Sequence, residues 1–112
     1  MGDSSHRDMT TFIEYERTAR AIVEVATTVV PGLLQTYDYA HAIISRWSPH
    51  DAGVRTATRV GRRNVLTKQN APTFTAIITE NALREPIGGP AVHAEQLRHL
   101  VAAVEVDNVE IL

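Results

Sequence analysis

One short stretch of the sequence is strongly basic, because it contains four arginines within nine residues: Arg55, Arg59, Arg62 and Arg63. Their spacing of i, i+4, i+7 and i+8 places them along one side of a helix. Guanidinium groups bind carboxylates and phosphates through paired hydrogen bonds, so this side is a candidate site for an anion, a nucleic acid or an acidic partner. A solvated helix face is the alternative that the sequence leaves open.

Glu80 is the acidic side chain best placed to take part in such a site. It follows the β-branched, apolar segment 73–79, which predicts a strand, and ligands of parallel sheets bind at the carboxyl ends of strands. Glu80 is therefore a candidate acid or base acting on an anionic substrate held by an arginine. Its alternative role is a salt bridge to Arg59 or Arg63. If both roles hold, these side chains form one polar cluster beside residues 35–39.

The residue spacing does not favour other catalytic or metal-binding sites. His93 and His99 lie six residues apart, not at the i, i+4 spacing of a helical zinc site, and His93 falls on an apolar stripe. We predict that His93 is a hydrogen-bonded histidine in the core or at its rim. There is no cysteine for a thiolate ligand and no Gly-x-Ser-x-Gly turn, and Gly88 and Gly89 lack the lysine of a phosphate-binding loop. We expect no metal and no cofactor, and we favour a non-catalytic protein over an enzyme.

A sharp corner in the chain positions these side chains. Within residues 28–40, Pro31 pushes the preceding valine into an extended conformation and Gly32 lets the backbone turn. The two leucines that follow are expected to point into the core, and Thr36 is placed to cap a helix over residues 37–47. The corner is therefore predicted to be anchored and not mobile.

The segments before the corner differ in their apolar pattern. Residues 1–8 are polar and predict a flexible lead-in. A helix is predicted over residues 9–20, with one apolar stripe made of Phe12, Tyr15, Ala19 and Ile22. Residues 22–28 are rich in β-branched side chains and predict an extended segment, for which a helix continuing into Val25 is the rival interpretation.

Two helices are predicted between the corner and the next strand. The helix at 37–47 is expected to bury Trp47, the only tryptophan, as a plug in the core. The second helix is expected over residues 51–68. Its apolar side is predicted to consist of Val54, Ala57, Gly61 and Val65.

The last third of the chain predicts a strand, a helix and a second strand. Segment 73–79 is expected to be central in the sheet, and residues 80–84 to form a short turn or a single helical turn. Gly88 and Gly89 are expected in a turn that needs positive φ, and a helix begins at Pro90. Its inward stripe is predicted as Leu97, Leu100, Val101 and Val104. A strand at 109–112 completes a parallel unit, so the predicted fold is α/β, with α+β possible: helices packed on a small sheet.

Size and composition set the remaining limits. The chain has 112 residues, enough for one domain that folds without disulfides, and a formal net charge of -2. A protein that is basic all over is excluded, so nucleic-acid binding would need a local patch. The sequence has no signal peptide and no apolar run long enough to span a bilayer, so we predict a cytoplasmic protein with no membrane partner.

Two signatures of the sequence resemble a known family. They are Val-Pro-Gly-Leu-Leu-Gln-Thr at 30–36 followed by Tyr39 and Ala40, and Glu-Asn-Ala-Leu-Arg at 80–84 followed by Gly88, Gly89 and a Gln-Leu-x-x-Leu run at 96–100. They are similar to the uncharacterised domain that follows a helix-turn-helix in actinobacterial XRE-type, Scr-type antitoxin-like transcriptional regulators. The resemblance covers about residues 12–112.

The resemblance implies a regulatory interaction domain that binds a small protein partner or a small-molecule signal. Contact with DNA would then be indirect, through a helix-turn-helix that this sequence lacks. Members of that family continue with further strands and a helix beyond the position of Leu112. The resemblance therefore implies an incomplete sheet, which a homodimer or a partner would complete.

Together, the residues and the resemblance predict a single regulatory domain over residues 9–112 that is non-catalytic. An enzyme acting through Glu80 and a nucleic-acid-binding protein acting through the basic helix at 51–68 are the alternatives. The candidate ligand- or partner-binding residues are Gln35, Tyr39, Arg59, Arg63, Glu80 and Arg84. The predicted structural turn residues are Pro31, Gly32, Gly88 and Gly89.

Overall fold

Three short runs of β-branched and apolar residues form a parallel sheet in the computed structural model, which describes residues 20–112. The strands are β1 (Ala21–Ala26), β2 (Thr73–Ile78) and β3 (Val109–Ile111), in the order β1-β2-β3. Both strand pairs are parallel. The extended interpretation of the segment after residue 20 is therefore confirmed, and so is the central position of β2.

The register aligns the largest apolar side chains across the sheet. Ile22 is paired with Phe74, and Phe74 is paired with Val109, so these residues form one buried row. Side chains alternate between the two faces of a strand, and this row therefore lies on a single face. The hydrophobic core lies on that face, which we call the covered face.

The helices follow the turn and capping signals closely. They are α1 (Tyr37–Trp47), α2 (Ala52–Gly61), α3 (Glu80–Arg84) and α4 (Pro90–Ala103), with 3-10 turns at Gly32–Leu34 and Arg62–Leu66. The α/β fold class is confirmed within the described part of the chain. The helix predicted over 51–68 is too long, because the backbone tightens into the second 3-10 turn directly after Gly61, a residue with low helix propensity.

One face of the sheet carries the hydrophobic core and the other is open. The buried core includes Ile22, Ala26, Val30, Leu33, Leu34, Tyr39, Phe74, Ala76, Ile78, Leu100 and Val109. On the opposite face, Val23, Val25 and Ile77 are exposed. The described residues therefore form two layers, a sheet and the helices packed on its covered face.

Trp47 is not the core plug that its size predicts. Its side chain is 83% exposed, whereas Ala40 and Ile44, earlier on the same helix, are buried. Trp47 is the last residue of α1, and Ser48 then leaves the helical conformation. The apolar stripe of α1 thus runs past the end of the core, and the tryptophan lies in solvent.

The inward side of α2 is also different from the predicted one. Val54 is 73% exposed, while Ala52 and Thr56 are buried. The hydroxyl of Thr56 donates to the carbonyl oxygen of Ala52 at 2.6 Å, so its polar group is buried with a partner. Because Arg59 lies seven residues after Ala52 and three after Thr56, this rotation of the helix turns Arg59 toward the protein. Ala57 and Gly61 are exposed as well, and only Val65 is buried as predicted.

The residues that α4 buries differ from the predicted inward stripe and include a polar side chain. Leu100 is buried as predicted and Leu97 is partly buried, but Val101 and Val104 are exposed. Gln96 is fully buried in their place. Gly88 and Gly89 have φ values of +79° and +94°, which confirms the turn that precedes Pro90.

Some predictions concern residues that the structure does not describe. The flexible lead-in at 1–8 and nearly all of the helix at 9–20 lie outside residues 20–112. In the range that is described, no helix combines the length and the hydropathy needed to cross a bilayer.

Candidate functional site

The corner at residues 30–36 leads the chain from the end of β1 into α1. The N–H of Leu34 donates to the carbonyl oxygen of Pro31 at 2.9 Å, which closes the 3-10 turn, and both leucines of the turn are buried. Thr36 caps α1, because its hydroxyl oxygen accepts from the N–H of Tyr39 at 3.2 Å. Gly32 does not have a positive φ, so the bend does not depend on a left-handed residue. The anchored corner is confirmed.

Two side chains satisfy both backbone groups of Val30. Its N–H donates to the hydroxyl oxygen of Tyr39 at 2.9 Å, and its carbonyl oxygen accepts from Nε2 of Gln35 at 2.8 Å. Tyr39 is 1% exposed, and burial raises the pKa of its phenol above the usual range. Tyr39 was predicted to contact a ligand, but it lies beneath the corner and supports it.

Gln96 of α4 holds the far side of the same corner. Its Oε1 accepts from the N–H of Thr36 and its Nε2 donates to the carbonyl oxygen of Leu34, each at 2.8 Å. In the sequence, Gln96 stands only within a motif that predicts no role for it. One feature of the sequence could have indicated its role: Gln96 lies on the helix face that also carries Leu97 and Leu100. An amide buried on that face must find hydrogen-bond partners.

A cleft of about 360 Å³ opens beside the corner at the carboxyl end of β1. We call it the β1 cleft. The described residues that line it are 24–30, Gly32, Gln35, Arg59 and Arg62. The carboxyl ends of parallel strands are where ligands of open α/β sheets bind. Glu24, which no sequence motif indicated as a site residue, brings a carboxylate to this cleft from the covered face of β1.

Arg59 and Gln35, both predicted as site residues, meet in the β1 cleft. Nη1 of Arg59 lies 3.5 Å from Oε1 of Gln35. Arg59 is half-buried, and burial, followed by the neighbouring charge of Arg62, lowers the pKa of its guanidinium. Among residues 20–112, no carboxylate forms an ion pair with Arg59. Its charge is therefore partly removed from water without a described counter-ion.

The predicted pairing of Glu80 with Arg59 or Arg63 does not form. Glu80 and Arg84 are exposed and form an ion pair with each other at 2.5 Å. Residues one turn apart on a helix meet at little cost, so this local pair prevails over a distant one. The prediction of one polar cluster that contains Glu80 and the arginines is therefore wrong for the described residues.

The segment that carries Glu80 nevertheless lies at the expected edge of the sheet. The hydroxyl of Thr79 donates to the carbonyl oxygen of Thr27 at 3.1 Å, and Nδ2 of Asn81 is 3.4 Å from the same oxygen. These contacts join the end of β2 to the loop after β1. Glu80 therefore starts α3 close to the loop that lines the cleft, with its carboxylate directed to Arg84.

The four arginines of the basic stretch do not form one continuous surface. Arg55 is exposed and paired with Asp51 at 2.9 Å. Arg59 and Arg62 line the β1 cleft. Arg63, another predicted site residue, lies near His99 of α4. Burial and then the charge of Arg63 lower the pKa of His99, while Glu95 raises it.

The remaining candidates for chemistry have structural partners. Nε2 of His93 lies 2.6 Å from the carbonyl oxygen of Leu83, which confirms a hydrogen-bonded histidine at the rim of the core. A Cβ atom added to Gly88 would lie 2.9 Å from a methyl group of Val92, so this glycine also permits a close contact. Across residues 20–112, no three histidine, aspartate or glutamate side chains are grouped to hold a metal ion.

Comparison with known proteins identifies a family, whose description states no activity. No curated protein and no solved structure matches the sequence. A family model matches residues 9–112, a range that includes the corner, the β1 cleft and the glycine turn. The chain therefore belongs to the family described as Domain of unknown function (DUF5753).

Proposed function

We propose that this chain is a non-catalytic, regulatory binding domain that takes up a small-molecule signal or a group of a small protein partner in the β1 cleft. The observation that carries the proposal is the contact of Arg59 with Gln35 at a cleft beside the carboxyl end of β1. Clefts in this position are where α/β sheets bind ligands.

The rigidity of the cleft wall supports binding. Gln35 is 2% exposed and is held by Val30, which is held in turn by Tyr39, and Gln96 fastens the end of the corner. A wall that is ordered before the ligand arrives does not pay the entropy of ordering on binding. The wall is therefore suited to selective recognition.

The arrangement of the charged groups favours binding over the two alternatives. An acid or base must lie within hydrogen-bond reach of the reacting group, and Glu80 is exposed and paired with Arg84. Nucleic-acid binding through the basic helix would need its arginines on a common surface, yet Arg55 is paired outward and Arg63 lies toward α4. Among residues 20–112, neither alternative has a contact that favours it.

The regulatory part of the proposal comes from the resemblance described above. The signatures at 30–36 and 80–84 are similar to those of a domain in antitoxin-like transcriptional regulators, which act in the cytoplasm and contact DNA through a helix-turn-helix. Our proposal is that this domain senses a partner or a signal for such a regulator. Its own contact with DNA would be indirect.

The test is a reporter gene under an operator that is bound by a fusion of a helix-turn-helix domain to this chain. We expect deletion of residues 20–112 to change reporter output, and a double change in the cleft, Arg59→Gln with Arg62→Gln, to change it in the same direction. The matched control is Arg55→Gln, which removes an exposed arginine from the same helix. Reporter output that does not respond to the deletion would contradict the proposed function.

A further inference from the structure

The charged groups of the β1 cleft restrict the chemistry of its ligand. We propose that the cleft binds a single carboxylate group, with Arg59 as the residue that holds it and Gln35 as the residue that positions Arg59. This inference rests on the proposed binding function and names the class of ligand.

Most N–H donors of Arg59 have no acceptor among the described residues. A guanidinium group carries five N–H donors, and the one acceptor found for Arg59 in residues 20–112 is Oε1 of Gln35 at 3.5 Å. Good N–H···O hydrogen bonds are about 2.7–3.2 Å long, so this contact is long. A carboxylate fits the planar fork of a guanidinium with two parallel hydrogen bonds. Arg59 is therefore suited to bind one more acceptor group.

Gln35 is fixed in the orientation that Arg59 needs. Its Nε2 donates to the carbonyl oxygen of Val30, so its Oε1 is the amide atom that faces Arg59. The N–H of Val30 donates to Tyr39, which extends the chain of hydrogen bonds into the core. Gln35 thus orients the guanidinium from below and leaves the cleft side of Arg59 for a ligand.

The charges of the lining residues favour a monoanion over a dianion. Among the described lining residues, Arg59 and Arg62 bring two positive charges to the cleft and Glu24 brings one negative charge. Both Arg62 and Glu24 already have interactions of their own. One carboxylate balances the remaining positive charge, whereas a phosphate dianion would leave uncompensated negative charge next to Glu24 in a half-buried site.

The size and the apolar side of the cleft limit the rest of the ligand. At about 360 Å³ the cleft is near the lower end of ligand-binding pockets. Val29, which is partly buried, supplies an apolar side chain to the lining. The ligand is therefore a carboxylate with a short apolar group, either a small organic acid or the terminal residue of a peptide.

Isothermal titration of the purified chain with butyrate, butyramide and inorganic phosphate tests this assignment. We expect butyrate to bind and its neutral amide to bind at least tenfold more weakly, because hydrogen bonds to charged groups are the stronger ones. Phosphate, titrated at a pH where it is a dianion, should also bind more weakly than butyrate, because its second charge would lie uncompensated next to Glu24. Arg59→Gln should weaken butyrate binding about tenfold or more. The control Arg55→Gln should leave it unchanged.

A second pair of probes separates the two sources of the carboxylate. A short peptide ending in valine and the same peptide with an amidated C-terminus are titrated in parallel. Tighter binding of the free-acid peptide than of butyrate assigns the cleft to a peptide terminus, and tighter binding of butyrate assigns it to a small acid. Equal binding of both acids and of their amides would overturn the role of the carboxylate.

Arg59→Lys covers the case in which Arg59→Gln fails to fold. Lysine keeps the charge and the aliphatic stem but lacks the planar fork, so butyrate should bind several-fold more weakly to a protein with an unchanged unfolding midpoint. Full-strength binding to this variant, or no carboxylate binding to the unmodified chain, would overturn the assignment. If the reporter still responds to deletion of residues 20–112, only the carboxylate assignment falls and the proposed function stands.

Discussion

The corner at residues 30–36 and the outer surface of α1 to α3 use polar side chains in opposite ways. Beneath the corner, Gln96 and Tyr39 are fully buried, and each one hydrogen-bonds to the backbone of the corner. On the outer surface, Glu80 and Arg84 pair with each other in solvent. Gln96 joins segments about 60 residues apart in sequence, whereas Glu80 and Arg84 are one helical turn apart.

This difference shows which polar contacts determine the shape of the cleft. A backbone group that is buried without a partner costs about 1–3 kcal/mol, whereas an exposed ion pair is worth about 0–1 kcal/mol. The side chains under the corner therefore control where Gln35 and Arg59 lie. Exposed side chains can change with little effect on that geometry.

The largest effect is expected for Gln96→Leu. The change leaves the N–H of Thr36 and the carbonyl oxygen of Leu34 buried without their partner, so the free energy of unfolding should fall by about 2–5 kcal/mol. Urea denaturation followed by circular dichroism measures it. The control is Arg98→Leu, an exposed position on the same helix, which should change the free energy by less than about 0.5 kcal/mol. Equal stability of the two variants would show that the buried amide does not hold the corner.

Tyr39→Phe should have the next largest effect. It removes one hydroxyl and leaves the buried N–H of Val30 unsatisfied, so unfolding should become easier by about 1–3 kcal/mol. The matched control is Tyr37→Phe, two residues earlier on α1 and 44% exposed, where a loss below about 0.5 kcal/mol is expected. Thermal unfolding of both variants gives the comparison, and a larger loss at Tyr37 would contradict it.

Alanine substitutions at two glycines compare the corner with the turn before α4. Gly88→Ala should cost about 1–2 kcal/mol, because Gly88 has a φ of +79° and an added Cβ would lie 2.9 Å from a methyl group of Val92. Gly32→Ala should be close to neutral, since, apart from its chain neighbours, no described residue has an atom within 4 Å of the added Cβ, and the φ of Gly32 is not positive. Chemical denaturation of the two variants should give this order. A larger cost at Gly32 would show that the corner depends on its glycine.

The smallest effect is expected for Trp47→Ala. The indole is 83% exposed, so the free energy of unfolding should change by less than about 0.5 kcal/mol, in contrast to the about 3–5 kcal/mol expected of a buried tryptophan. As the only tryptophan, Trp47 also reports its own surroundings by fluorescence. Its emission should be that of a solvated indole before and after unfolding. A red shift on unfolding would place it in the core after all.

Local signals were sufficient for most of the described elements and for the cap of α1. The helix predicted at 37–47 has the observed bounds of α1, and Thr36 caps it. The glycine turn and the start of α4 at Pro90 were also predicted, because positive φ and the missing N–H of proline are properties of single residues.

The face that each helix buries was less predictable. Val54 and Trp47 have the residue types of a core, yet both are exposed, while Thr56 is buried. A side chain is buried only where another element covers it, and a small residue such as Thr56 can be preferred where two helices approach closely. Apolar spacing on one helix carries no information about its neighbour.

The candidate site shows the same limit. Gln35 and Arg59 were predicted as site residues and do meet, but Glu80 and Arg63 belong to other surroundings. Gln96 was missed because its partners are about 60 residues away in sequence. The residue types indicated which side chains could bind a ligand, but not which of these side chains lie in the same cleft.

By itself, the sequence determined most of the described helices, strands and turns, because these depend on backbone preferences and on contacts between near neighbours. It also determined the absence of cysteine chemistry and of a strongly basic character. Only the tertiary structure decided that α2 turns Arg59 toward Gln35 and that Gln96 fastens the corner. The physical reason is that these contacts depend on how the helices pack on the sheet, and that packing is a property of the whole chain.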